Sequence, residues 1–226
     1  MAATSAPAPG SDPRIGQAPG RLALLQAFVN TLDIEHATDE LSSPAALDGW
    51  LRSAGLAADK PGPAGPGPAD TGPADTRPAD TGPADTGPAD LALAVDLREV
   101  LRGVLRSHVA HQPALVAEPA ARLTEIASAM RPRISASADG SISVIAAGPG
   151  TQAALTEVLL IAAEAQTLRT WSRLKVCSSD DCQWAFYDRS PTRSGCWCSM
   201  QICGSRAKSR AYRQRSTTQP DRVLER

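Results

Sequence analysis

Residues 173–208 run RLKVCSSDDCQWAFYDRSPTRSGCWCSMQICGSRAK, and all five cysteines of a 226-residue chain lie within them. Cys177 and Cys182 are separated by four residues, Cys182 and Cys198 by fifteen, and Cys198 and Cys203 by four. Two short-spaced pairs joined by a longer loop suit a tetrahedral four-thiolate zinc site. Each pair supplies two sulfurs from one tight turn, and the loop folds back to bring the pairs together at Zn–S distances of ~2.3 Å. A secreted disulfide framework would instead spread an even number of cysteines along a small chain. Sulfur ligands also suit iron, but nothing in the sequence suggests redox chemistry, so Zn2+ is the expected ion, held by Cys177, Cys182, Cys198 and Cys203. Cys196 reads as a spare thiol, the alternative being an exchangeable or redox-switching ligand. Trp184, Phe186 and Tyr187 read as a small apolar core around the metal, with base stacking as the alternative.

The segment after Cys203 is helix-compatible to Arg215 and carries Arg206, Lys208, Arg210, Arg213 and Arg215. Arg206, Arg210 and Arg213 fall at i, i+4, i+7 and share a face, with Lys208 and Arg215 expected to flank it. No acidic residue lies between Asp188 and Asp221. A helix selected only for solubility would mix signs, so these five residues are the candidate nucleic-acid contacts. The asymmetry extends to the whole chain. The net charge is −1, yet from Trp171 onward eleven basic residues face five acidic ones, net +6, leaving −7 for residues 1–170. A basic end on an otherwise acidic chain points to an anionic partner.

Upstream, residues 1–20 are rich in Pro, Gly and Ala and read as a disordered leader without the basic start or apolar core of a secretory signal. The first apolar cluster is Leu22, Leu24, Leu25, Phe28 and Val29. Ser43-Pro44 predicts a helix start, with Ser43 as N-cap, Leu47, Trp50 and Leu51 inward and Gly55 as the stop. Residues 60–90 hold a Pro-Ala-Asp-Thr-Gly repeat with no large apolar side chain, which predicts a flexible insert rather than a solenoid. Leu97, Leu101, Val104, Leu105 and His108 mark a helix with Asp90 as N-cap. A further helix starts at Pro119, with Leu123, Ile126 and Met130 inward. Ile134, Ala136 and Ala138, a type I′ turn at Asp139-Gly140, then Ile142, Val144 and Ala146 predict a hairpin. Leu155, Val158, Leu159, Ala162 and Leu168 mark the buried side of a long helix. The expected fold is α+β: a mainly helical domain over 21–172 with one small hairpin, a four-cysteine finger over 173–216 ending in a basic helix, and a flexible tail over 217–226.

Leu174-Lys175-Val176-Cys177, Cys182-Gln183-Trp184-Ala185-Phe186-Tyr187-Asp188, Arg189-Ser190, Trp197-Cys198-Ser199-Met200 and Cys203-Gly204-Ser205-Arg206-Ala207-Lys208 resemble the CGNR-type zinc finger. Ser205 stands where that family has Asn, and Gly195-Cys196 where a basic pair is commoner. Val29-Asn30-Thr31, Leu41-Ser42-Ser43-Pro44 and Trp50-Leu51 are similar to the start of the ABATE domain, which precedes this finger in stress-induced bacterial transcription regulators. The resemblance implies a zinc-dependent transcriptional regulator whose N-terminal domain senses a signal or dimerises.

Charge and spacing by themselves imply a metal-held anion-binding module. A protein-interaction adaptor docking an acidic partner and an RNA-binding protein are the alternatives. A lone module of this size binds DNA weakly, so a homodimer or a further contact is expected for sequence specificity. No apolar run approaches the ~20 residues of a membrane span, and a cytoplasmic protein, on the nucleoid when DNA-bound, is expected. Catalysis is not. His36, His108 and His111 form no hydrolase pair, no Gly-rich phosphate loop or nucleophile elbow occurs, and a four-thiolate site has no open position for water.

Overall fold

The computed structural model describes residues 16–56, 86–110, 117–130, 132–147 and 150–218. Most of the predicted leader and of the repeat insert, the Gly148-Pro149 break, and residues 219–226 of the predicted tail lie outside these described residues. Within them the fold is α+β, as expected. Helices α1 (Leu22–Val29), α2 (Pro44–Ser53), α3 (Pro88–Ala110), α4 (Ala117–Ala129), α5 (Gly150–Thr167) and α6 (Ser205–Thr218) accompany three two-stranded antiparallel sheets. The pairs are β1 (Leu32–Asp33) with β2 (Thr38–Asp39), β3 (Arg133–Ala136) with β4 (Ile142–Ile145), and β5 (Leu174–Val176) with β6 (Ala185–Tyr187).

Helix α3 is the axis of the molecule. Ala94, Leu97, Leu101 and Leu105 recur along it and are fully buried, and α1, α2, α4, α5 and β5 all pack on it. Leu25 and Phe28 of α1, Leu47 of α2, and Leu155, Val158 and Ile161 of α5 fill the same core. Each such side chain contributes roughly 1.5–3 kcal/mol. Phe28 and Trp50 meet with ring centroids 5.5 Å apart, tilted 56°. Gly103 lets α4 cross closely, since a Cβ there would lie 2.9 Å from Pro119 Cγ. The core does not stop at the finger. Leu174, Val176 and Ala185 of β5 and β6 belong to it, so the finger's first hairpin is physically part of the upstream domain.

Local signals held where their chemistry is local. The Ser43 hydroxyl accepts from the Ala46 N–H at 3.1 Å. After α2, Gly55 adopts φ +69° and the Leu56 N–H donates to the Leu51 carbonyl at 2.9 Å, the left-handed close a glycine permits.

Six expectations are corrected. Residues 16–20 of the expected leader pack on the fold: the Gly16 carbonyl accepts from Tyr187 N–H at 2.9 Å, extending the open edge of β6, and Ala18 is buried. Helix α3 begins at Pro88, inside the stretch assigned to the insert. Asp90 is therefore not its N-cap but sits three residues past Gly87, its carboxylate accepting from Gly87 N–H at 2.9 Å, the returning half of a capping box. Helix α4 begins two residues before Pro119, and Pro119 is tolerated there because first-turn N–H groups need no helical acceptor.

The hairpin turn is also different. Among the turn residues only Gly140 has positive φ (+81°), the Gly140 N–H donates to Ser137 and the Ser137 N–H to Ser141. That is a three-residue loop closed by a left-handed glycine, not the two-residue type I′ turn. Its apolar residues face solvent, with Ile134 79%, Ile142 76% and Val144 53% exposed. Finally, Leu168 lies past the end of α5 and is exposed. Arg169 takes φ +56° there and the Thr170 N–H donates back to Ala165 at 2.9 Å.

Candidate metal centre and basic helix

The two halves of the cluster come from different local structures. Cys177 follows β5 directly, and the chain turns through Ser178–Asp181 to Cys182, where Gln183 takes φ +48° and feeds β6. Cys198 precedes a π-helical turn, Met200–Gly204, which contains Cys203 and runs on into α6. Ser199 starts that turn, its hydroxyl accepting from Ile202 N–H at 3.3 Å. At Gly204 a Cβ would lie 2.8 Å from the sulfur of the exposed Met200 side chain.

The sulfurs of Cys177, Cys182, Cys198 and Cys203 all lie within 4.8 Å of one another. Cys182 and Cys198 are 3.7 Å apart and Cys198 and Cys203 3.6 Å. A tetrahedron with Zn–S bonds of ~2.3 Å has sulfur–sulfur edges of ~3.8 Å, whereas a disulfide requires ~2.05 Å. The four cysteines are thus placed to bind a metal, in a donor set suited to a closed structural site.

Electrostatics point the same way. Hydrogen bonds from Cys182 and Cys198 hold the Cys177 thiol far below its usual value. Those two thiols are pushed up in turn, first by Cys177 and then by burial. Four sulfurs this close together can all be thiolates only around a cation. Cys196 stands apart from the foursome, half-buried, its thiol raised by burial and by the charge of Cys177. Trp184, Trp197 and Ile202 pack on the cluster. The aromatic expectation is therefore corrected: Tyr187 packs instead on the main core, and only Trp184 of the three lies against the cysteines.

Polar side chains of the upstream domain lock the finger in place, and their roles are not visible in the sequence. The Asn30 amide mimics a strand, accepting from Ala185 N–H at 2.7 Å and donating to Ala185 carbonyl at 2.9 Å. Arg102, nearly fully buried, donates to the Gln183 carbonyl at 2.8 Å and the Val29 carbonyl at 2.7 Å. Arg98, 2% exposed, instead ties α3 to β2 within the upstream domain, gripping Asp39 through two bonds of 2.6 and 2.9 Å. His108 meets the Leu174 carbonyl at 2.8 Å and lies edge-on to Trp171. Inside the finger, Lys175 donates to Asp188 at 2.8 Å and to the carbonyls of Arg193 and Gly195, tying down the fifteen-residue loop. Asn30 was recognisable only through the Val29-Asn30-Thr31 run. The one trace of Arg98 and Arg102 is that each follows an inward leucine at the same helical spacing.

Arg206, Arg210 and Arg213 do share a face of α6. With Gln201, Ile202, Ser205 and Ser209 they line one shallow groove of about 650 Å³. Lys208 and Arg215 are exposed but do not line it. At i+2 and i+9 from Arg206 they turn to the far side, which corrects their expected flanking position.

Residues 173–216 match the family model of the CGNR zinc finger. Residues 20–170 match that of ABATE, described as "Putative stress-induced transcription regulator". No curated protein matches the chain. Since the ABATE match spans more than half of its residues, this chain belongs to the ABATE family, with a CGNR zinc finger following the ABATE region.

Proposed function

We propose that the protein is a zinc-dependent, DNA-binding transcriptional regulator of the cytoplasm, with no catalytic activity of its own. The observation that carries this reading is the set of three arginines at i, i+4 and i+7 lining one groove on a helix that starts beside the last metal ligand. A closed four-thiolate site fixes where that helix begins and so fixes the reach of its guanidinium groups, which suit phosphate oxygens and guanine edges. The family description supports a regulatory role. Zinc fits the donor set and the sulfur spacing, and such a closed site leaves no position for activating water. Among the described residues no helix is long and apolar enough to cross a membrane. A homodimer would supply the second half-site that sequence specificity requires.

The test is a salt titration of binding to specific and random duplexes for the wild type and for Arg206→Gln, Arg210→Gln and Arg213→Gln. Removing an arginine that holds a phosphate should weaken binding to every sequence and flatten the log–log salt slope by about 0.9. Removing one that reads a base should cost ~1–3 kcal/mol at one position only. Arg206, nearest the metal, is assigned to positioning, and Arg210 and Arg213 to the groove. Unchanged affinity in all three variants would remove α6 from a DNA interface and favour an adaptor that docks an acidic protein.

A further inference from the structure

Two arginines of the groove already meet carboxylates. Arg206 Nη1 lies 2.5 Å from Glu35 Oε1, and Arg210 Nη1 lies 3.1 Å from Asp181 Oδ2, with Nη2 3.3 Å from the Ser179 hydroxyl. One acid comes from each domain. Glu35 sits in the turn between β1 and β2, and Asp181 in the turn between the first two metal ligands.

Both carboxylates stand on supported turns. In the first, Asp33 accepts from the His36 backbone N–H at 3.1 Å and meets the His36 ring at 2.8 Å, while Ala37 takes φ +52°. The base of that turn is clamped to α3 by the paired Arg98–Asp39 bonds. In the second, neighbouring Asp180 pairs with Arg106 of α3 at 2.5 Å. Carboxylate and phosphate offer a guanidinium the same kind of oxygen acceptor, so a backbone phosphate reaching Arg206 or Arg210 competes with an acid already there for the same charge.

We infer that Glu35 and Asp181 form an intramolecular latch that mimics phosphate on Arg206 and Arg210, so that the N-terminal domain, through Glu35, sets the affinity of the basic helix for DNA. This rests on the DNA-binding reading above. It adds to that reading a route by which a change in the β1–β2 turn alters binding without touching the finger. Release of Glu35 raises the share of molecules whose Arg206 is available, and an exposed pair of this kind holds back binding by only a few-fold. The latch is a graded control, not an on–off switch.

The experiment is a double-mutant cycle in the full chain loaded with zinc, using a random-sequence duplex at fixed low salt. Its members are wild type, Glu35→Gln, Arg206→Gln and the double variant, with zinc content and circular dichroism verifying that each is folded. Glu35→Gln should tighten binding about two- to fivefold, and should change nothing when Arg206 is already glutamine. The same cycle on Asp181→Asn and Arg210→Gln should behave alike. An equal gain from Glu35→Gln in both backgrounds would mean that removing any negative charge near the duplex suffices, and the latch would be overturned. No gain in either background overturns it too, while Arg206→Gln still weakening binding would leave the DNA reading intact. If the wild type does not bind duplex DNA at all, both fall together.

Discussion

Lys175 and Asp188 are a buried ion pair, both side chains at most 4% exposed, at the base of the long loop between the second and third metal ligands. Burial pushes the Asp188 carboxyl up, but the Lys175 ammonium, together with Ser190 and the Gly195 N–H, outweighs burial and holds it well below the usual carboxylate range. Because its folded value is depressed, the stabilisation is complete above the unfolded value of ~3.9 and is lost as pH falls through the folded one. Lys175→Met strands a buried carboxylate and should cost ~3–5 kcal/mol in urea unfolding. Asp188→Asn should also destabilise. The gap between wild type and Asp188→Asn should stay constant from about pH 8 to 5 and narrow only below about pH 4. A gap that closed already at about pH 6 would mean that another group carries the effect. Gly195 belongs to the same arrangement, since a Cβ there would lie 2.9 Å from the Asp188 carboxylate. The departure from a basic residue at this position is thus a packing requirement of this loop.

At the scale of elements, what was legible in the sequence is what neighbouring residues determine. Ser43, Pro44 and Gly55 bound α2 because capping is a contact over three or four residues, and cysteine spacing revealed the four-sulfur cluster because each pair is one turn. Partners distant in the chain left no such trace. The alternation of Ile134, Ile142 and Val144 located a hairpin correctly, yet alternation defines a face and not what covers it. Likewise nothing in the sequence marks Arg98 and Arg102 as buried, since Asp39 and Gln183 reach them only through the tertiary fold. The finger's spacing hid its division of labour too. Strands β5 and β6 lean on α3 and Asn30, while Cys198, the π-helical turn and α6 have the cysteine cluster and a few side chains. Zinc removal by a strong chelator should therefore release residues 196–218 and the 178–182 turn to hydrogen exchange, and leave 174–176 and 185–187 protected. Cys196→Ser should retain a full equivalent of zinc, whereas Cys198→Ser should not. Exchange spreading through β5 and β6 on chelation would show that the metal, not α3, holds them.

For the molecule as a whole, the boundary near residue 172 separates two family regions but not two cores. Leu174, Val176 and Ala185 are fully buried in the core built by α1, α3 and α5. Arg102 carries the same dependence in polar form, because its guanidinium satisfies the Gln183 carbonyl next to Cys182 and the Val29 carbonyl behind α1. Cutting the chain at 172 would expose the three apolar side chains on one side and the matching face of α3 on the other. It would also leave the Asn30 amide and the Ala185 backbone without each other. The finger alone, residues 173–226, should consequently bind zinc at least about tenfold more weakly than the full chain in competition with a chromophoric chelator, since the binding energy must then also order β5 and β6. Arg102→Met in the full chain tests the polar half of this coupling. It keeps most of the side-chain volume but strands buried carbonyls, which should cost ~1–3 kcal/mol and weaken zinc binding in step. A finger fragment with the full chain's zinc affinity, and an Arg102→Met variant that loses stability without losing metal, would together show that the two regions fold independently. In that event Glu35 would face Arg206 across a joint free to open, and not across a shared core.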